Sequence, residues 1–385
     1  MTSDVDASGP GPEARLPLRP GLEGLHPYGA PQLDVPVLLN VNENPHSPSE
    51  EVVSDIAESV AKAATGLNRY PDREFAELRA ELSEYLRIES GVRVPAEQIW
   101  AANGSNEVML HLFQAYGGPG RTAISFDPTY SMYPEYARDT HTTWVTGRRS
   151  ADFTLDPAHA ADLIRRHHPA LIVLTSPNNP TGTALPLETV VAVLDAARGS
   201  GPAGPDGGHT DSVVVVDEAY GEFRRAGVAS ALTLLHEHPH LTVSRTMSKA
   251  FGMAGLRLGY LAAAPALVEH LRVVRLPYHL SAVTQAAALA ALRHREEFIA
   301  QVASLRQERD DLVEWLRARG HAVADSDANF VLFGMFEDRH AVWNGLLERG
   351  VLIRETGPAG WLRVSVGTPQ EMAAFTAALQ EVDPR

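Results

Sequence analysis

The sequence predicts an α/β fold, a mostly parallel sheet with helices on both faces, followed by a smaller α+β domain. Three observations predict it. Apolar runs of buried-strand type, ALIVLTSP, SVVVVDEAY and HLTVSRTMSK, alternate with stretches of helical periodicity. Such alternation makes consecutive strands parallel and lays helices on both faces of the sheet. From about residue 281 the texture changes to a long helical stretch and then short strands. Polar side chains also cluster just after the strands, at the C-terminal ends where open α/β sheets bind ligands.

The elements follow in order. Residues 1–20 are rich in Gly, Pro and acids without periodicity and read as a flexible arm. Residues 50–64 and 74–88 carry helical spacing. IWAANGSNEVMLHLFQAY reads as a short strand, a Gly-Ser-Asn turn and a helix. RTAISFDPTY is a strand ending in a Pro turn, and ALIVLTSPNNPTG is a buried strand running into a loop. Residues 186–198 are helical, and GSGPAGPDGGHTD (199–211) is a surface loop by composition. Two further buried strands end in DEAY and in TMSK. Residues 281–320 read as one long helical stretch. The strands ANFVLFG, GVLIRE and WLRVSVG follow, with a helix near 340–349. The expected division is an arm over 1–20, a segment over 21–48 joining the smaller domain, a large domain over 49–280 and a small one over 281–385.

Composition narrows the chemistry. The net charge of −15, from 33 basic and 48 acidic residues, argues against a nucleic-acid binder. With no cysteine, disulfides, thiolate nucleophiles and thiolate metal sites are excluded. The N-terminus lacks the basic start and apolar core of a secretion signal, and no apolar run approaches the ~18 residues of a membrane span. A cytoplasmic protein is expected. HEHPH (236–240) and HH (167–168) supply no third ligand at metal spacing and read as solvated helix ends, so no metal is expected.

The chain holds only two lysines, Lys62 and Lys249. Arginine serves most salt bridges but is never deprotonated, whereas a lysine amine can be, and can form a Schiff base with an aldehyde. Lys249 follows a run of hydroxyls, Ser244, Thr246 and Ser248, and precedes a glycine-spaced stretch holding Arg257. Other strand ends add to it. GSNE (104–107) opens a helix, and helix N-termini bind phosphate. Asn179, before Pro180, can present its amide to a ring oxygen. Asp217 ends a fully apolar strand, where a carboxylate is costly unless paired, and a protonated heterocyclic nitrogen would pair it. Tyr220 can donate to an adjacent oxygen, and Arg257 can hold a phosphate. An amine for an aldehyde, an acid for a pyridine nitrogen, two donors for a phenolic oxygen and a phosphate cradle together describe pyridoxal 5′-phosphate.

The chain resembles the fold-type-I pyridoxal-phosphate aminotransferases and, within them, the histidinol-phosphate aminotransferases. The likeness runs from about Leu22 to Gly367, through HPYGAP, LNVNENP, RYPD, NGSNE, PTYSMY, SPNNPTG, VVDEAYGEF, RTMSKAFGMAGLRLGY, LPYHLS, ANFVLF and LRVSVG. It implies a large domain with a mostly parallel sheet of seven strands, and a smaller α+β domain. It implies that Lys249 joins the cofactor and then shuttles a proton, that Asp217 pairs with the pyridine nitrogen, and that Tyr220 and Asn179 bond the ring oxygen. Tyr130 stacks on the ring, and Ser105, Asn106, Thr246, Ser248 and Arg257 hold the phosphate. The hydroxyl of Thr246 can alternatively cap a turn. Tyr70 reaches the phosphate of a neighbouring subunit, so a homodimer is implied. Arg363 binds the substrate's anionic group with Asn42 near it, while Arg354 and Tyr28 match the family's contacts to a substrate phosphate.

The expected reaction moves an amino group between L-histidinol phosphate and 2-oxoglutarate, giving imidazole-acetol phosphate and glutamate, in histidine biosynthesis. Three other readings stay open: an aromatic amino-acid aminotransferase, an O-phospho-amino-acid decarboxylase, and a cofactor-binding regulator. The last would need a DNA-binding module for which the chain has no room.

Overall fold

The computed structural model describes residues 16–27 and 29–384. The chain divides into two units, 1–34 and 35–385. The described part of the first holds only turns, as where the Leu22 N–H donates to the Arg19 carbonyl at 3.2 Å. Most of the expected arm, and Tyr28, lie outside the described residues.

The second unit opens with β1 (Val37–Leu38), α1 (Glu50–Ala64) and α2 (Ala76–Ser90). Helix α1 starts where Ser49 accepts from the Val52 N–H, with Glu50 and Glu51 in the first turn and Lys62 in the last, as the helix dipole favours. Then come β2 (Ile99–Ala102), α3 (Ser105–Tyr116), β3 (Thr122–Asp127), α4 (Tyr133–Asp139), β4 (Thr143–Arg148), α5 (Pro157–His167), β5 (Leu171–Thr175) and α6 (Leu187–Ala197). Strands β6 (Val213–Asp217), β7 (Leu241–Thr246) and β8 (Gly259–Ala263) complete the main sheet, followed by α7 (Pro265–Val274), α8 (Ala282–Arg293) and α9 (Arg295–Ala318). The rest is β9 (Ala322–Val323), β10 (Phe330–Gly334), α10 (Arg339–Glu348), β11 (Val351–Leu352), β12 (Trp361–Ser365) and α11 (Pro369–Val382).

The seven-stranded sheet runs in the order β2-β8-β7-β6-β5-β3-β4. Only β8 runs opposite to the other six strands. Its central strands, LIVLT and VVVVD, are buried at every position, as strands covered on both faces require. The large apolar core surrounds this sheet. A second core, including Leu39, Leu316, Phe333, Leu362 and Phe375, surrounds the three-stranded β12-β10-β9 sheet. β1 pairs in parallel with β11, which ties residues 37–38 to the C-terminal part.

Several expectations change. TWVTGR (β4) and GYLAA (β8) are strands that the sequence reading did not assign. β4 is a half-exposed edge, and the alanines of β8 have low strand propensity. The long stretch 281–320 is two helices meeting at His294, where Arg293 and His294 both bond Asp55 of α1. HEHPH is not a solvated helix end throughout. His238 and His240 are buried, and His240 Nε2 donates to the Leu194 carbonyl at 3.0 Å. His167 and His168 do end α5 and are exposed. Among the described residues no cluster of three or more His, Asp or Glu side chains can hold a metal ion, and no helix is long and apolar enough to cross a membrane.

Candidate active site

The register of three parallel strands builds the floor of the site. Thr175 lies opposite Asp217, and Asp217 opposite Ser244, so the last residues of β5 and β6 and an inner residue of β7 form one row. Residues in register across a sheet point to the same face. Asp217 Oδ1 accepts from Ser244 Oγ at 2.9 Å and from the Ala219 N–H at 3.1 Å, and Oδ2 accepts from the Tyr133 hydroxyl at 2.8 Å. Among the described residues no salt bridge reaches this buried carboxylate. Burial pushes its pKa up, opposed by the bonds from Tyr133 and Ser244. A carboxylate offers about four acceptor positions. Three are filled, and the one left is on Oδ2.

Lys249 sits in the turn after β7 and donates from Nζ to the Val41 carbonyl at 3.0 Å. Burial, aided by the charges of Arg363 and Arg257 and opposed by Glu43, lowers its pKa from 10.5 to about 8. Near physiological pH the neutral amine is therefore still the minor form, but far more populated than in an ordinary lysine. Its Nζ lies 5.9 Å from the centre of the Tyr220 ring, and the Tyr220 hydroxyl accepts from Asn42 Nδ2 at 3.0 Å. Asn42 adopts the left-handed conformation (φ 56°), which asparagine tolerates better than most residues. It is anchored by Ser365, whose hydroxyl accepts from the Asn42 N–H at 2.8 Å. Arg363, nearly buried, donates to Asn179 Oδ1 at 2.5 Å and to the Asn40 carbonyl at 2.9 Å. Lys249, Tyr220, Asn42, Asn179 and Arg363, spread over more than three hundred positions, are thus linked by direct contacts or through-space charge.

The anion cradle is made of backbone. Helix α3 begins at Ser105 and Asn106 after Gly104 (φ 85°), with no side chain capping its first N–H groups. Such a terminus presents donors and a positive dipole end to an anion. Glycines admit the close approach. A Cβ at Gly259 would lie 2.2 Å from the Ser105 nitrogen, and one at Gly104 would lie 2.7 Å from Arg257 Nη2. Arg257 is itself exposed, left-handed at φ 58°, and donates to the Ala254 carbonyl. The hydroxyl of Thr246 is engaged inside the turn, accepting from the Ser248 N–H at 3.1 Å and donating to the Leu258 carbonyl at 3.3 Å. This is the turn-capping alternative for that residue.

The aminotransferase class I and II family model matches residues 35–379. The chain belongs to this family. Histidinol-phosphate aminotransferase 3 of Burkholderia lata is 60% identical over 367 residues, covering 95% of this chain and 96% of that protein. The histidinol-phosphate aminotransferase of Thermobifida fusca is 59% identical over 364 residues, covering 94% and 95%. In fold, the chain is similar to the histidinol-phosphate aminotransferase from Sinorhizobium meliloti crystallised with pyridoxal-5′-phosphate, with TM-score 0.78, 24% identity, and 90% and 91% of the two chains covered. The seven-stranded, mostly parallel sheet with a second smaller sheet is the fold-type-I architecture of these aminotransferases.

Tyr130 packs edge-on against Tyr133, with ring centres 5.5 Å apart. Tyr70 is 79% exposed and stacks on Tyr278 at 4.3 Å, turned to solvent. Arg354 lies directly opposite Arg363, the two exchanging both backbone hydrogen bonds at 2.9 Å. Side chains opposed in this way share a face, and like charges there destabilise unless an anion joins them. The sequence reading missed Tyr133, Asn40, Ser365 and Asn329, whose Nδ2 donates to the Asn42 carbonyl at 3.1 Å, and gave Ser244 no role. The segment PTYSMY held the signal for the first, since it has two tyrosines and only the earlier was assigned.

Proposed function

We propose that this chain is a pyridoxal-phosphate-dependent transaminase. It moves the amino group between L-histidinol phosphate and 2-oxoglutarate, giving imidazole-acetol phosphate and L-glutamate, in histidine biosynthesis. The observation that carries the reaction class is the occurrence in one site of a buried amine held near pKa 8 and a buried carboxylate that no salt bridge among the described residues neutralises. Two relatives near 60% identity that bear the histidinol-phosphate name, together with the opposed Arg354 and Arg363, support the substrate.

The residues present fit the cofactor. The remaining acceptor position on Asp217 Oδ2 suits a protonated ring nitrogen, and the glycine-lined start of α3 suits its phosphate. When bound, pyridoxal phosphate supplies an aldehyde that carries the amino group and a ring that withdraws electrons from the substrate Cα. Asp217, kept ionised, holds the proton on the ring nitrogen. Lys249 Nζ, neutral once displaced, takes the proton from the substrate Cα, and a positioned base of this kind contributes about 10²–10⁴-fold. Tyr220 and Asn179 orient the ring oxygen, and Tyr130 lies against the ring. The N–H groups of Ser105 and Asn106, with Ser248 and Arg257, hold the phosphate, while Thr246 shapes the turn presenting Ser248. Arg363, with Asn42 beside it, binds the carboxylate of glutamate. Arg354 adds the second cation that a phosphate favours over a carboxylate.

The same reading makes residues 49–280 the cofactor-binding domain and places the protein in the cytoplasm as a homodimer. Leu67, Tyr70, Val273 and Leu276 are exposed, and the stacked Tyr70–Tyr278 pair belongs to the same group. A second copy of this chain would cover them and receive Tyr70 at its cofactor phosphate. The deciding assay compares kcat/KM for histidinol phosphate and for phenylalanine, each with 2-oxoglutarate, in wild type and in Arg354→Gln. Loss of a charge-assisted contact should lower kcat/KM about 10- to 100-fold with histidinol phosphate and leave phenylalanine within a few-fold. Comparable wild-type rates on both substrates would make it an aromatic aminotransferase instead.

A further inference from the structure

Asp217 is held by more than its strand. The Tyr133 hydroxyl lies 2.8 Å from Asp217 Oδ2 and 2.9 Å from Thr175 Oγ1, and Thr175 Oγ1 lies 3.1 Å from Thr129 Oγ1. We propose that Tyr133 is a positioning residue for Asp217, and that the Thr129–Thr175–Tyr133 hydroxyl row is polarised in one direction to keep that carboxylate ionised and aimed. The inference rests on Asp217 being the partner of the cofactor's ring nitrogen.

Proton accounting sets the direction. An ionised carboxylate only accepts, so the single proton of Tyr133 points at Asp217. Thr175 must then donate to Tyr133, and Thr129 to Thr175. Every proton in the row runs toward Asp217, and a protonated Asp217 donating back to Tyr133 would have to reverse it. Tyr133 is fully buried, and burial together with the charge of Asp217 pushes its phenol well above the usual tyrosine range, so it stays a donor. On the other oxygen, Ser244 and the Ala219 N–H complete the clamp. The nearby charges do not compete for the carboxylate. Glu218 is paired with Arg245 at 2.7 Å and Arg224 at 3.1 Å, and Arg149 donates to the Thr175 carbonyl at 3.3 Å. The row ends at Thr129, the neighbour of Tyr130. The hydroxyls of Thr129 and Tyr133 therefore flank, in one short segment, the ring proposed to stack on the cofactor.

The test uses the holoenzyme. Wild type should first show a visible absorbance band when pyridoxal phosphate is added. Without that band, the reading of the site itself fails. In Tyr133→Phe, the dissociation constant for pyridoxal phosphate should rise, and kcat with glutamate should fall, by about 10- to 100-fold, the worth of a hydrogen bond to a charged group. The KM for glutamate should stay within a few-fold. The pH midpoint of the bound cofactor's band should move upward, because a ring nitrogen that loses its proton withdraws less from the nitrogen of Lys249. Thr175→Val, which keeps Tyr133 but removes its donor, should move all three readouts in the same direction by less. A Tyr133→Phe enzyme that is less heat-stable but has unchanged cofactor affinity and an unchanged pH midpoint overturns the proposal. If Tyr133→Phe does not fold, unchanged values in Thr175→Val do the same.

Discussion

Gly259→Ala should loosen the cofactor without dismantling the fold. Gly259 begins β8, opposite Ala102 on one side and Thr246 on the other. A Cβ there would meet the Ser105 nitrogen at 2.2 Å and the Gly104 carbonyl carbon at 2.4 Å, where ordinary contact begins near 3.4 Å. Both obstacles are backbone, so no side chain can swing aside. The first turn of α3 must retreat by about 1 Å. Overpacking of this kind costs ~1–3 kcal/mol, which lowers the melting temperature by only a few degrees in a chain of this size. The retreat falls on the N–H groups of Ser105 and Asn106. A misplacement of about 1 Å costs on the order of 10²-fold in a preorganised site. Titration of the apo-protein with pyridoxal phosphate, followed by absorbance, should show a dissociation constant raised about 10- to 100-fold. Gly255→Ala is the control, because a Cβ there meets nothing within 4 Å. A Gly259→Ala protein that binds the cofactor as tightly as Gly255→Ala would refute the assignment of the α3 N-terminus as the phosphate cradle.

Two other outcomes follow from the buried charges. With Lys249 held at about 8 and only the neutral amine reactive, cofactor capture by the apo-protein should accelerate with pH and level off above about 8. A stopped-flow profile still climbing toward 10 would contradict the desolvated amine. Arg245→Met should destabilise by about 3–5 kcal/mol in denaturant titration, because it takes from the buried Glu222 its cation and leaves Glu89 and Glu218 sharing Arg224. A loss below about 1 kcal/mol would mean that those carboxylates find other partners.

Much of the site was legible along the chain because its signals are local. Lys249 stands out where arginine does nearly all other cationic work. Asp217 stands out because a carboxylate closing a run of four valines must have a partner. GSNE before a helical pattern announced a helix N-terminus, and α3 begins at Ser105. Arg354 and Arg363 were separately readable on neighbouring predicted strands. That they face each other residue for residue was not, since strand register is set by pairing and not by either strand alone.

The sequence by itself determined the alternation of apolar strands and helices, the chemistry-bearing residue at each strand end, and so the class of cofactor and reaction. Only the tertiary structure decided that Thr175, Asp217 and Ser244 form one row, that β8 runs against its neighbours, that the 281–320 stretch breaks at His294, and that Tyr133 rather than a cation meets the aspartate. The reason is the range of the forces involved. Hydrophobic period and the cost of burying a charge act residue by residue, and they can be read from neighbours in sequence. A bond such as that between the Asn42 N–H and Ser365, 323 positions apart, depends on how whole sheets pack, which no local pattern encodes.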